Sequence, residues 1–218
     1  MIFFYKKEKI NYKLFLILIF SYLIIRFLSD ICLETRELFY DFFSEQLAKE
    51  QITQLLQTQK KWAWIGYAII PVLILLRTSF VAFCLSIGLF FYETENTVKF
   101  KQIFRIALLG EFVLVLVGWF KFFYFYFIKT DFTLQDIQQF YPLSFINFLD
   151  LENLEPWLVY PLQMVNLFEI SYFFVLVYGM HKLLKNNYWK SFEITAISYG
   201  AGLTIWLGLV MFLTLNMS

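Results

Sequence analysis

The chain has 218 residues, of which 60% are hydrophobic, 22% aromatic and only 16% charged, with a formal net charge of +1. Water-soluble domains carry about 25% charged residues, so an ordinary soluble domain is excluded, and a charge so near zero gives no basic surface for nucleic acid. The apolar residues are blocked into long segments with no Gly-rich or Pro-rich linker between them, which predicts one integral membrane domain over residues 1–218: an all-α, polytopic membrane helical bundle.

The first apolar segment covers roughly 14–33. No A-x-A-like cleavage site follows it, and Ile31 stands where a lipoprotein site before Cys32 needs a small residue, so it reads as an uncleaved span. "ETRELFYDFFSEQLAKEQITQLLQTQKK", at 34–61, is too polar to span and too long for a tight turn. Leu38, Phe39, Phe42, Phe43 and Leu47 recur at helical spacing, and Ile52, Leu55 and Leu56 resume it. The first span is therefore expected to continue outward to about Leu47, turn, and return as a second helix, making an extracytoplasmic helical hairpin. Phe39, Phe42, Phe43, Leu47 and Leu55 are either a partner surface or the seam along which the two helices pack on each other.

The second span is placed at about 68–92, within a run from Trp62 to Tyr92 whose single charge is Arg77. As one helix that run is about 46 Å long, acceptable if its first turns stand outside the hydrocarbon. Splitting it at Arg77 would leave two short pieces with no turn residues between them, so one helix is expected, with a possible kink at Pro71. "TVKFKQIFRIALL" then puts Phe100, Ile103, Phe104, Ala107 and Leu108 on one face, with Lys99, Lys101 and Arg105 largely off it. This predicts a short cytoplasmic interfacial elbow helix leading into a third span at 104–128, its cations suited to anionic lipid headgroups. In the loop from Lys129 to Pro156, "TLQD" at 133–136 is a capping-box-like helix start. A fourth span is expected at 157–180 and a fifth at 194–214.

Basic residues orient the set. With the N-terminus inside and the C-terminus outside, the inner pieces carry Lys6, Lys7, Lys9, Lys13, Lys99, Lys101, Arg105, Lys182, Lys185 and Lys190; the outer pieces carry Arg36, Lys49, Lys60, Lys61 and Lys129. The outer loops also hold acids, among them Asp131, Asp136, Asp150, Glu152 and Glu155.

Charges at bilayer depth cost at least ~2.5–3.5 kcal/mol each unless compensated. Counting helical rise from each inner end puts Arg26 about 20 Å up, Arg77 about 22 Å, Glu169 about 16 Å and Glu111 about 12 Å. These four are expected to form one intramembrane charge cluster, with Arg77 held by Glu169, Arg26 and Glu111 joining them, and Gln163 and Asn166 adding hydrogen bonds. Such a cluster is either a packing device or an ion path. One histidine (His181) and two separated cysteines (Cys32, Cys84) make no typical zinc site, and no nucleophile motif or phosphate-binding glycine loop occurs, so no catalytic residue, metal or cofactor is expected. The spacing of Ser198 and Gly202, and of Ala82 and Ser86, suits close helix contact.

The order of "VKFKQIFRIALL", a loop with "FYPLSFINFL", "WLVYPLQMVNLFEISYFFVLVYGMHKLLK" and a last span resembles the Yip family (Ypt-interacting-protein-like membrane proteins), small five-span proteins, over about 95–214. The resemblance implies a membrane-resident, oligomeric protein and carries no catalytic or GTPase-contact residue onto this chain. The expected function is non-enzymatic: a scaffold or accessory subunit in an inner-membrane-type complex, its partners lipids and other membrane subunits or further copies of itself. The alternative is a small transporter or channel subunit that uses the Arg/Glu cluster.

Overall fold

The computed structural model describes residues 10–33, 35–44, 47–92, 98–149 and 154–217. Lys6, Lys7 and Lys9, and Glu34, Asp150 and Glu152, lie outside the described residues. Within them the chain forms α1 (Ile10–Cys32), α2 (Thr35–Ser44), α3 (Lys49–Phe91), α4 (Phe100–Phe123), α5 (Leu134–Gln139), α6 (Pro156–Met164), α7 (Leu167–Leu184) and α8 (Tyr188–Met217), and no strand. Five helices are long and apolar enough to cross a membrane: α1, α3, α4 with its π-turn extension to Ile128, α7 and α8.

α3 settles how the Trp62–Tyr92 run is used. It is one helix of 43 residues, about 65 Å long, whose first turns are polar and whose remainder is apolar. Pro71 lies inside it; the proline has no N–H for the carbonyl of Tyr67, yet the helix continues. The run therefore supplies one span. α4 starts at Phe100 and passes into its apolar part without interruption.

α4 is the centre of the bundle, packed against α7, α3 and α1, while α8 closes the far side against α3, α7 and α6. Leu85, Ile106, Ala107, Leu176, Met180 and Ile194 interlock in the main core. Leu14, Leu18 and Ile25 of α1 meet Leu108 and Val115 of α4 in a second cluster, and Trp119 Nε1 donates to Ser21 Oγ at 3.0 Å across the same contact. The close approach of α4 and α7 needs glycine: a Cβ on Gly110 would stand 2.6 Å from Cε2 of Tyr172, and one on Gly179 would meet Ile106. On the other side Ser198 seats against Gly88 and Gly202 against Cys84, the four-residue spacing noted in α8.

The fourth apolar segment departs from expectation. Instead of one helix over 157–180, the chain makes α6, stops at Val165 and Asn166, and starts again as α7. Asn166 has an extended backbone, and its side-chain oxygen accepts from the amide of Glu169 at 2.7 Å, which caps the new helix. Hydropathy does not register this break because the residues on both sides remain apolar. The N-x-x-E spacing of Asn166 and Glu169 is the signal that marks it.

Outside the spans, α5 begins at the TLQD box. Thr133 Oγ1 accepts from the amide of Asp136, and Asp136 Oδ2 accepts from the amide of Thr133 at 2.8 Å. Lys129 Nζ lies 2.6 Å from Asp136 Oδ1. α2 packs on α3 and α5; Phe39, Phe42 and Phe43 form a half-buried ring cluster with centroids 4.6 and 5.0 Å apart, Ile52 is fully buried, Leu47 is half-buried and Leu55 is exposed.

Two outcomes follow from this packing. Gly110→Val forces Tyr172 out of its seat and should lower stability by about 1–3 kcal/mol, read as a reduced melting temperature in detergent, whereas Gly208→Val, where a Cβ meets nothing within 4 Å, should leave it unchanged. Asp136 is held below the usual carboxylate range by the Lys129 ammonium and the Thr133 amide. A depressed folded value means that its contribution is complete above about pH 4 and disappears as pH falls through that lowered value. Hydrogen exchange of residues 129–140 should therefore quicken selectively in acid. Asp136→Asn should abolish that pH dependence, with a global cost below about 1 kcal/mol.

Candidate functional site

A guanidinium needs a planar pair of acceptors, and a carboxylate removed from water needs a cation that also satisfies its oxygens. α3 and α4 present these two groups to each other. Glu111, on α4 beside Gly110, has no exposed side-chain surface; Arg77, on α3, reaches it and keeps 45% of its own side chain exposed. Arg77 Nε lies 3.0 and 3.1 Å from the two carboxylate oxygens, and Nη2 donates to Oε2 as well. Nη2 also lies 3.2 Å from the hydroxyl of Tyr22 on α1. One side chain thus ties three spans together, about 21 Å along α3 from Phe91. Its Nη1 has no hydrogen-bonding partner among the described residues.

Glu169 is in the first turn of α7, buried, and its Oε1 accepts from the hydroxyl of Tyr199 on α8. Tyr172 lies one turn after Glu169 on α7. Its ring is wedged against Gly110 and lies 5.6 Å from the ring of Tyr199, and its hydroxyl is buried with no hydrogen-bond partner. Thr78 Oγ1, next to Arg77 on α3, is likewise buried and unpartnered.

The break in the fourth segment is held by a loop. Ser144, buried, places Oγ 3.1 and 3.2 Å from the carbonyls of Leu162 and Gln163 at the end of α6. The Phe145 amide donates to Val165 O at 2.9 Å and the Leu167 amide to Leu143 O at 3.2 Å. Leu143 adopts a left-handed φ of 54°, which turns its carbonyl toward α7. Asn166 Nδ2 donates to Gln163 O at 2.8 Å. Backbone groups that a continuous helix would pair internally are thus paired by residues 143–145.

The structure accordingly corrects the expected cluster. The partner of Arg77 is Glu111 and not Glu169, because α4 lies directly against α3 while Glu169 is turned to Tyr199 of α8. Arg26 does not join them: its Nε lies 3.3 Å from Asp30 Oδ2, one turn along α1, and Tyr67 donates to the same oxygen at 2.7 Å. An acid at i+4 on the same helix meets Arg26 before any other span can. Gln163 Nε2 points to Gln139 O at 3.4 Å, and Asn166 is a helix cap. Sequence reading missed Tyr22, Tyr172 and Tyr199, which 14 tyrosines of similar surroundings do not distinguish.

Among the described residues no group of three or more His, Cys, Asp or Glu is placed to hold a metal ion. No family model, no curated protein and no solved structure matches this chain.

The ion pair makes a firm expectation. Arg77→Gln or Glu111→Gln alone breaks a buried pair, so that the remaining group must change its protonation or its partner, and should cost about 3–5 kcal/mol. The double variant should recover most of that. The same cycle run between Arg77 and Glu169 should show a clearly smaller coupling; the readout is thermal unfolding in detergent.

Proposed function

We propose that this chain is a non-enzymatic, multi-pass membrane protein that serves as a scaffold or accessory subunit of a membrane complex, with its N-terminus inside and its C-terminus outside a bacterial inner-membrane-type bilayer. The ten-to-five excess of basic residues on the assigned inner side supports that orientation, and the Yip-like order of segments over about 95–214 agrees with a membrane-resident oligomeric protein. One observation carries the reading: Arg77 is charged, lies within the apolar part of α3, and keeps 45% of its side chain exposed, with Nη1 unpartnered among the described residues. Hydrocarbon offers that nitrogen no acceptor. A polar group from a neighbouring subunit or a second copy completes it. Leu73 and Leu76, both exposed beside it, are the apolar rim of that contact, and the aromatic cluster of α2 is a further contact surface at the membrane exterior.

A second reading, a small transporter or channel subunit, is favoured by the break before α7, since interrupted spans line polar sites in many carriers.

Gentle detergent extraction from native membranes, with a photo-reactive residue at Leu73, tests the first reading. It should trap a defined membrane subunit or a second copy, whereas the same probe at Phe212 on α8 should label only lipid. Labelling of lipid alone at Leu73 would overturn the scaffold reading. Ion or solute flux in liposomes that is lost in Glu169→Gln would establish the second.

A further inference from the structure

The polar centre of the bundle contains two carboxylates and one guanidinium. Glu111 is fully buried and Glu169 only 8% exposed. Arg77 is committed to Glu111 through a two-point ion pair, which balances that carboxylate and leaves Glu169 without a cation at ion-pair distance among the described residues. Its hydrogen-bond partner among the described residues is the hydroxyl of Tyr199. An ionised carboxylate buried without a cation is costly, and the normal resolution is that it takes up a proton. The helix N-terminus offsets only part of that cost.

A second, independent feature points to the same place. The hydroxyl of Tyr172, one turn after Glu169, is 1% exposed and unpartnered. Gly110 on one side and the Tyr199 ring on the other fix its ring, so it cannot turn to solvent. The hydroxyl lies in the fields of Glu111, Arg77 and Glu169 together. The charged and titratable groups that face Glu169 are Tyr199 from α8, Tyr172 from α7 itself, Glu111 from α4, Arg77 from α3 and Tyr141 from the loop. Burial pushes the Tyr141 phenol up, so Tyr141 stays neutral and supplies no charge.

We propose that this centre is a proton-binding site that holds one proton per chain on Glu169, so that two carboxylates and one guanidinium sum to zero charge in the membrane. The Tyr199 hydroxyl donates to one oxygen of the acid, and the buried Tyr172 hydroxyl lies one turn after it on α7. Glu169 is about 5 Å past the break in the fourth segment, and that break is its nearest route for exchange. A held proton is compatible with a scaffold as well as with a transporter.

Infrared spectroscopy of the full chain in lipid nanodiscs at neutral pH tests this directly through the C=O stretch of a protonated carboxyl. The wild type should show that band, shifted by H₂O/D₂O exchange, and Glu169→Gln should lack it. In Glu111→Gln the remaining carboxylate becomes the counter-ion of Arg77, so the band should vanish there too. In Arg77→Gln, with two acids and no cation, it should roughly double. Glu169→Gln should also keep its melting temperature, because the amide has the shape of the neutral acid. Absence of the band in the wild type overturns the proposal on its own, whatever the variants do. So does a band that persists in Glu169→Gln, or one that appears only when sodium is replaced by choline, which would make the occupant a bound cation.

Discussion

A carboxylate with no access to solvent, in the helix around which three other spans are packed, has to be neutralised inside the protein. The bundle's central level is organised around how Glu111 meets that requirement. Arg77 comes from α3, Tyr22 from α1, and the glycine beside Glu111 admits α7 and its Tyr172. In oil, helices gain little from burying apolar surface against each other, since lipid is as apolar as leucine; close packing and polar contacts must select the neighbours. The Arg77–Glu111 pair does so for α3 and α4, and the glycine contacts at Gly110, Gly179 and Gly88 do so for α4 with α7 and for α3 with α8.

The interrupted fourth segment obeys the same rule applied to the backbone. A helix that stops within a membrane protein exposes carbonyls at one end and amides at the next. Here Ser144, Phe145 and Leu143 meet those groups from a loop, and Asn166 caps the restart. The result is a rigid joint that carries Glu169 on its first turn and holds it against Tyr199. Interruption of the span and placement of the second buried carboxylate are therefore one structural event.

The part of the molecule beyond the spans is built from ordinary soluble-protein devices. A capping box and an ion pair order α5, and α2, with its aromatic cluster, packs against α3 and α5. The Lys129–Asp136 pair is largely exposed and individually weak, in contrast to the central pair, whose carboxylate is fully buried.

The sequence alone determined the helical class, the number of apolar helices, the unbroken course of α3 through Pro71, the cap of α5 and the small-residue contacts of α8, because hydropathy, helical period and capping are properties of neighbouring residues in one chain. Depth counting set Arg26, Arg77 and Glu169 at matching levels with Glu111 about one turn deeper, and so favoured Glu169 for Arg77 where the structure has Glu111. The choice between the two acids depends on the rotation and tilt of each helix, and these are set by where Gly110, Gly179 and Gly88 allow backbones to approach. Depth counting also could not show that Arg26 would be taken by Asp30, or that loop carbonyls and amides would replace a turn of helix at Asn166. Partner choice and backbone repair are decided by contacts between segments far apart in the chain, and only the tertiary structure contains them.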